Sequence, residues 1–390
     1  MKVKRKGALC ALLAVVAALG VAVTTGGTAS AATGGTIVIG WAFDSKGNMA
    51  PFDGPALAAA TVRAKQINAR GGAQIKIITC DTQGNNPAKS KACALSLLGQ
   101  GAKVIFTTCD VDYATPVVQE AINRGVLAVA PCIGTDQMGP KRFGAKGKLA
   151  FSFGNAGQDE GSAMAEWAYK KGWHSAGTGT NAALVYFKNV VQAFESRFKQ
   201  LGGKIVAHET YATGANNVQA AVSRLAGKQA DVYVTATAFG ELPAFVTGMR
   251  ALGNETPILN SWAGDGTYWV PKDGITNYYA VTYASAFGDD PNPAVNKLAK
   301  AVKAGTGGFV TGAAALDGVV TAYARAGGST NGAALAAQLE KFKKVPTLSG
   351  LVSFSPTLHS VFGRQYRVIR IEGNKERVIG SVTAKVVPKI

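Results

Sequence analysis

The sequence predicts an α/β fold in two lobes, each built on an open sheet of mostly parallel strands. Apolar runs of strand length alternate with helical segments along most of the chain. Residues 104–136 show the repeat most clearly: an apolar strand at 104–108, a helix at 113–124 that Gly125 ends, and a second strand at 126–130. About 360 residues beyond a leader exceed what one hydrophobic core needs and suit two domains.

Residues 1–31 have the pattern of a secretion signal peptide. Four cations, Lys2, Lys4, Arg5 and Lys6, precede an apolar run at 8–23, and Ala29-Ser30-Ala31 forms a small-residue cleavage site. The alternative is a membrane anchor, but the apolar run of 16 residues is short for a span. The one early cysteine, Cys10, lies inside that run, where it cannot carry a lipid anchor. We therefore expect a soluble protein in the periplasm or outside the cell.

The charge distribution argues against a nucleic-acid partner. The chain has 41 lysines and arginines against 23 aspartates and glutamates, and four of the cations belong to the leader, which leaves an excess of 14 positive charges. The lysines are scattered over predicted helix surfaces and turns instead of clustering with aromatic residues. We expect a basic, solvated surface that favours an anionic envelope.

Four cysteines, Cys80, Cys93, Cys109 and Cys132, remain after the leader. In an oxidising compartment an even number predicts two disulfides, for which three pairings are open. We favour Cys109–Cys132, because both residues follow strands expected to be neighbours, with Cys80–Cys93 closing a strand end onto the next helix. No C-x-x-C pair is present among them that would indicate a thiol redox role.

Taken in order, the remaining patterns complete two strand–helix series and a mixed return. Strands are predicted at 36–41, 74–80, 149–153, 174–180, 204–208, 231–236, 257–260, 278–284, 351–354, 365–371 and 377–385. Helices are predicted at 55–70, 87–98, 158–171, 189–201, 216–226, 241–252, 293–304, 311–326 and 332–343.

Six short motifs in a consistent order resemble one known family. They are the helix ending INARGG at 67–72, the turn CDTQ…NPAK at 80–89, the segment 125–131, Tyr186 before its helix, LGGKIV at 201–206, and Gly264-Asp265-Gly266. On these residues the chain resembles the extracytoplasmic branched-chain amino acid-type solute-binding proteins of ABC transporters, over nearly the whole length beyond the leader. The resemblance implies the type I periplasmic binding protein fold, with two Rossmann-like lobes and a ligand cleft between them.

The resemblance also implies how the chain divides. Lobe one would comprise 36–150 plus 286–346, and lobe two 154–278 plus 354–390. Three crossovers near 149–153, 278–286 and 348–354 would form the hinge about which the lobes close over ligand.

Candidate ligand contacts follow from strand ends and from the resemblance. Strand ends in open parallel sheets gather ligands, which points to Asp110, Asp112, Gly134 and Thr135. The family's pattern adds Tyr186 as a cleft tyrosine, Asp265 as the acid for a ligand ammonium, and Phe52 as a pocket aromatic. Trp41 and Trp262 are further aromatic candidates, which could instead pack within the protein.

Asp110 stands where relatives that bind aliphatic amino acids have a serine for the ligand carboxylate. A carboxylate facing a carboxylate is repulsive in a desolvated cleft, so the resemblance with this change implies a cationic, amide-bearing or polyol solute. If Asp110 instead caps the following helix, an amino acid remains compatible.

Other patterns do not indicate catalysis or a cofactor. The loose Gly177-x-Gly179 motif lacks the context of a dinucleotide site. The three histidines have no metal-ligand spacing, and Asp110 with Asp112 has no nucleophile nearby in sequence. We expect a monomeric binding protein without metal or cofactor that delivers a small solute, an amino acid, amide or related molecule, to ABC permease subunits. The alternatives are a soluble sensor feeding a receptor and a hydrolase of similar architecture.

Overall fold

Two parallel-rich sheets organise the structure, a computed structural model that describes residues 34–390. The predicted leader and Cys10 lie outside the described residues. Helices separate most of the successive strands in each sheet, so the predicted α/β fold in two lobes is confirmed. Within residues 34–390, none of the helices combines the length and hydrophobicity that a membrane crossing requires.

The first sheet has five strands in the order β2-β1-β3-β4-β5, all parallel. Its elements are β1 (Thr36–Phe43), α1 (Ala50–Asn68), β2 (Gln74–Asp81), α2 (Pro87–Gly99), β3 (Val104–Phe106), α3 (Val111–Asn123), β4 (Leu127–Ala130), α4 (Pro140–Phe143) and β5 (Ala150–Ser152). We call this sheet and its helices lobe one.

The second sheet has seven strands in the order β14-β13-β10-β9-β8-β6-β7, of which β13 and β14 run antiparallel to their neighbours and the rest are parallel. Its elements are α5 (Gly157–Lys170), β6 (Ser175–Asn181), α6 (Val185–Gln200), β7 (Lys204–Tyr211), α7 (Ala215–Ala226), β8 (Val232–Ala236), α8 (Glu241–Ala251), β9 (Ile258–Asn260), β10 (Ile275–Thr282), β13 (Tyr366–Gly373) and β14 (Lys375–Val382). We call this sheet and its helices lobe two.

Between β10 and β13 the chain returns to lobe one. Helices α9 (Pro293–Val302) and α10 (Phe309–Arg325) pack on α1, α11 (Gly332–Leu339) packs on α10 and β4, and β11 (Val345–Thr347) pairs with β12 (Gly350–Val352) as a hairpin. One hydrophobic core runs from lobe one into lobe two, and a second core lies between α7, α8 and the second sheet.

Arg364 joins the three segments that connect the lobes. Its guanidinium donates to the side chain of Asn155 and to the carbonyls of Phe153 and Ser349. It also lies over the ring of Tyr283, 4.9 Å from the centroid. These partners belong to the connections after β5, after β10 and between β11 and β12. A single buried cation therefore ties all three connections together.

Several helices begin earlier than predicted. Helix α1 starts at Ala50, so that Pro55, the predicted start, lies inside it. Pro55 cannot donate to the carbonyl of Pro51, and the Thr306 hydroxyl donates to that carbonyl instead, at 3.0 Å. Helix α6 starts at Val185 instead of residue 189. Helix α4 and the 3-10 turn Gly144–Leu149 that follows it were not predicted.

Both predicted disulfides are confirmed. The sulfur atoms of Cys80 and Cys93 join β2 to α2, and those of Cys109 and Cys132 join the loops after β3 and β4. The second pairing follows from the sheet, since β3 and β4 are hydrogen-bonded neighbours whose carboxyl ends lie side by side.

Candidate functional site

A small cavity lies where the carboxyl ends of strands from both lobes face each other. Its lining residues follow β1, β3, β6, β8 and β9 in the chain. In each sheet the strand order reverses at this position, between β1 and β3 and between β6 and β8. Such switch points are where open α/β sheets hold ligands, so the topology marks this cavity as the candidate site.

The cavity is mostly apolar and small. Its lining consists of Met49, Phe52, Cys109, Asp110, Leu184, Tyr186, Phe187, Ala238, Phe239, Trp262 and Ala263. Its volume is about 20 Å³, which is room for about one water molecule. A solute of several heavy atoms therefore enters only if the lobes move apart, as a hinge between them would allow.

Asp110 both caps a helix and lines the cavity. Its Oδ1 accepts hydrogen bonds from the backbone N–H groups of Asp112 and Tyr113, at 2.9 and 3.2 Å, which makes it the N-cap of α3. The side chain is only 4 % exposed. Burial, and next the charge of Asp112, raise the pKa of Asp110 to about 7. The two sequence interpretations, capping and cavity lining, are therefore compatible in one residue.

A buried carboxyl group supports the aromatic side of the cavity. Glu160 on α5 accepts a hydrogen bond from the Tyr186 hydroxyl at 2.9 Å and another from the Trp262 backbone N–H at 2.7 Å. It is fully buried, and that burial raises its pKa to about 8. Glu160 thus positions both aromatic residues and does not itself line the cavity.

Gly134 lets the lobes approach closely beside the cavity. A methyl group at this position would lie 2.5 Å from the Tyr186 ring and 3.3 Å from Trp262 Nε1. Thr135, the next residue, is buried: its carbonyl accepts from the Ser360 hydroxyl at 2.7 Å, and its hydroxyl accepts from the Asn189 amide at 3.4 Å. Both residues border the cavity through contacts with lobe two and are not among its lining residues.

Asp112 links the two lobes outside the cavity. One carboxylate oxygen pairs with Arg142 at 2.9 Å, and the other accepts from the Val185 backbone N–H at 3.2 Å, at the start of α6. A carboxylate at a helix N-terminus is stabilised by the exposed N–H groups there. Asp112 therefore holds lobe one against lobe two when they are together.

Two further sequence candidates lie away from the cavity. Asp265 is fully buried and accepts from the Thr282 hydroxyl at 2.6 Å and from the Gly307 backbone N–H. Burial raises the pKa of Asp265, and Glu376 lies beside it with its own pKa raised by burial and by Asp265. Trp41 packs on Phe106 in the core of lobe one, with ring centroids 4.8 Å apart.

The structure adds lining residues that the sequence did not single out, of which Phe187 and Phe239 are the largest. Phe239 follows β8 by three residues and has a φ of 56°, in the left-handed region that residues other than glycine seldom adopt. Ligands gather at the carboxyl ends of strands. The same rule that was applied to β3 and β4 would have identified Phe239 if it had been applied to β8. Leu184 and Phe187 follow β6 in the same way.

The disulfide Cys109–Cys132 lies under the lobe-one side of the cavity. Cys109 is a lining residue, its neighbour Asp110 is the one lining carboxylate, and Cys132 is two residues before Gly134. Asp53 on α1 supports the same loop by accepting from the Cys109 backbone N–H at 2.9 Å. The cross-link thus joins the two loops of lobe one that border the site.

The sequence is similar to those of known binding proteins. A family model described as periplasmic binding protein matches residues 36–376. A Leu/Ile/Val-binding protein homologue from Brucella melitensis is 25% identical over 345 residues, which cover 84% of this chain and 92% of that protein.

Solved structures share the fold. The branched-chain amino acid transporter substrate-binding protein LivJ from Streptococcus pneumoniae, in complex with isoleucine, matches with a TM-score of 0.76 at 20% identity and covers 89% of this chain and 99% of its own. An ABC transporter solute-binding protein from R. palustris, in complex with benzoate, matches with a TM-score of 0.72 at 19% identity and covers 91% and 98%. At this level of identity the likeness shows the fold, which confirms the predicted arrangement of two parallel-rich lobes.

Proposed function

The chain belongs to the periplasmic binding protein family, and on that premise we propose that it captures a small solute between its lobes and delivers it to an ABC importer. One observation carries the proposal: the carboxyl ends of strands from both sheets, at both switch points, border a single apolar cavity. The similar structures from S. pneumoniae and R. palustris are both transporter solute-binding proteins, which favours an importer over a receptor.

The proposal includes the division into lobes, with 36–150 plus 286–346 as lobe one, 154–278 plus 354–390 as lobe two, and the hinge at the three connections that Arg364 joins. The family implies a location in the periplasm or outside the cell. It is a family of binding proteins, and we propose that this chain releases its solute unchanged.

Four of the sequence candidates, Phe52, Asp110, Tyr186 and Trp262, line the cavity, and we propose them as direct contacts. We propose Asp112, Gly134 and Thr135 as residues that act on closure, because their contacts cross from lobe one to lobe two.

A thermal-shift screen tests the proposal. Purified protein, unfolded and refolded to remove any retained solute, is heated with a library of amino acids, amides, amines, aromatic acids and sugars. A bound solute at a hundred times its Kd stabilises the folded state by about 2.7 kcal/mol, which raises the melting temperature measurably. If no solute in any class raises the melting temperature, the binding function is contradicted.

A further inference from the structure

The only charged side chain that lines the cavity is acidic. Asp110 is the one lining residue with a charged side chain, and the lining contains no lysine, arginine or histidine. Arg142, a cation whose charge acts on Asp110, is already engaged with Asp112 and with the Gln137 side chain, each at 2.9 Å. The cavity therefore offers an anion no counter-charge.

Asp110 also has an unused acceptor. Both capping hydrogen bonds go to its Oδ1, and among the described residues its Oδ2 accepts none. The side chain is nine-tenths buried and borders the cavity. A cationic donor in the cavity would give this oxygen a short, charge-assisted hydrogen bond.

Aromatic rings form most of the remaining wall. Phe52 from lobe one meets Trp262 from lobe two edge to face, with ring centroids 5.0 Å apart, and Tyr186, Phe187 and Phe239 complete the lobe-two side. Ring faces attract cations, and they do so most strongly where water is excluded. The same rings cover an apolar body by ordinary burial.

We propose that the cleft selects an organic cation, an ammonium group on an apolar or aromatic body, and rejects carboxylates, including α-amino acids and benzoate. Asp110 pairs with the ammonium, and the aromatic rings enclose the rest. This inference rests on the proposed binding function and narrows it to one class of solute. It separates this chain from the similar structures that hold isoleucine and benzoate.

Aromatic and aliphatic ligands that differ in the charge of their polar group test the selection. Titration calorimetry at pH 8 compares two amines, isobutylamine and benzylamine, and the quaternary ion benzyltrimethylammonium with benzyl alcohol, benzoate and isoleucine. We expect at least one amine to bind at least tenfold more tightly than benzyl alcohol, and benzoate and isoleucine to give no binding heat.

Two variants test whether the preference for an amine over benzyl alcohol depends on Asp110. Asp110→Asn keeps the helix cap, since asparagine caps as well as aspartate, but removes the charge, so we expect the amine to lose its tenfold advantage over the alcohol. Glu120→Gln removes a carboxylate from the same helix, α3, at a surface site paired with Lys91 and Arg124. We expect this control to keep the full advantage.

The outcomes separate this inference from the function it rests on. If benzoate or isoleucine binds and the amines do not, the cation selectivity is overturned while a solute-binding function stands. An amine that binds equally well to wild type and Asp110→Asn also overturns it. If neither this set nor the solute library binds, both the selectivity and the binding function fail.

Discussion

Gly134 shows at the scale of one residue how closely the lobes meet. Its missing side chain leaves room for the Tyr186 ring, and a methyl group there would lie 2.5 Å from that ring. We expect Gly134→Ala to keep the lobes from closing fully and to weaken the affinity for the solute at least tenfold, while the solute-free protein, free to open, keeps its melting temperature. Titration calorimetry and thermal unfolding measure the two effects.

Gly99→Ala is the matched control, because a methyl group at Gly99 would meet nothing within 4 Å. If Gly134→Ala binds solute as tightly as Gly99→Ala does, the close contact at Gly134 does not govern closure.

Glu160 is a second single residue with a testable effect, on how the stability of the protein depends on pH. Its folded-state pKa is raised to about 8 from an ordinary value of 4.5, so the folded protein holds a proton there that the unfolded chain releases. Between about pH 5 and pH 8 this group therefore lowers the free energy of unfolding as pH rises. Glu160→Gln keeps an oxygen acceptor for Tyr186 and Trp262 but does not titrate.

We expect the Glu160→Gln variant to lose less stability than wild type between pH 5 and pH 8, as measured by urea unfolding at each pH. Other groups titrate equally in both proteins, so the difference between the two curves isolates Glu160. Parallel curves would show that this carboxyl group is not held protonated.

Individual site residues were only partly predictable. The carboxyl-end rule led to Asp110, which follows β3 by four residues and is fixed beside the cavity as the N-cap of α3. Asp265 follows β9 by five residues and comes after a 3-10 turn at Trp262–Gly264, which directs its side chain toward Thr282 and Gly307. Sequence alone does not determine which residue of such a loop faces the cleft.

At the scale of elements, the disulfide Cys109–Cys132 connects the two loops that border the site in lobe one. We expect Cys109→Ser/Cys132→Ser to lower both stability, by about 3 kcal/mol for a loop of this size, and solute affinity, because the loop with Asp110 is no longer held. Cys80→Ser/Cys93→Ser removes the other disulfide, which lies away from the cavity. We expect that pair of substitutions to lower the stability but to leave the solute affinity unchanged.

Urea unfolding and titration calorimetry on both double variants distinguish these effects. Equal losses of affinity in the two variants would contradict a special role for the Cys109–Cys132 cross-link.

The order of the elements was largely predictable, but several helix starts were not. Pro55 resembles a first helical residue, because proline suits that position. In the structure, Thr306 supplies the donor that Pro55 lacks, from a part of the chain 251 positions further on. A local pattern cannot reveal a partner so distant in sequence. For the same reason, the return of α9–α11 to lobe one was predicted from the family resemblance and not from the local patterns.

At the scale of the whole molecule, Arg364 determines how the connections between the lobes hold together. Arg364→Met would leave the carbonyls of Phe153 and Ser349 and the side chain of Asn155 without their shared donor. We expect a loss of stability of about 3 kcal/mol, since removing one partner of a buried charged network leaves the others unsatisfied. Urea unfolding measures it.

The control is Arg370→Met, on β13, where the side chain is half-exposed and pairs with Glu372 at 2.7 Å. An exposed pair contributes less than about 1 kcal/mol. If the two variants lose equal stability, Arg364 is not a central tie between the lobes.

The central claim is that one solute is held between strand ends of both lobes. Hydrogen–deuterium exchange with and without a solute found in the screen tests it most directly. We expect slower exchange at 107–113 and 131–135 in lobe one together with 182–187, 237–240 and 261–264 in lobe two. Protection confined to one lobe, or to segments outside these five, would contradict binding of the solute between the lobes.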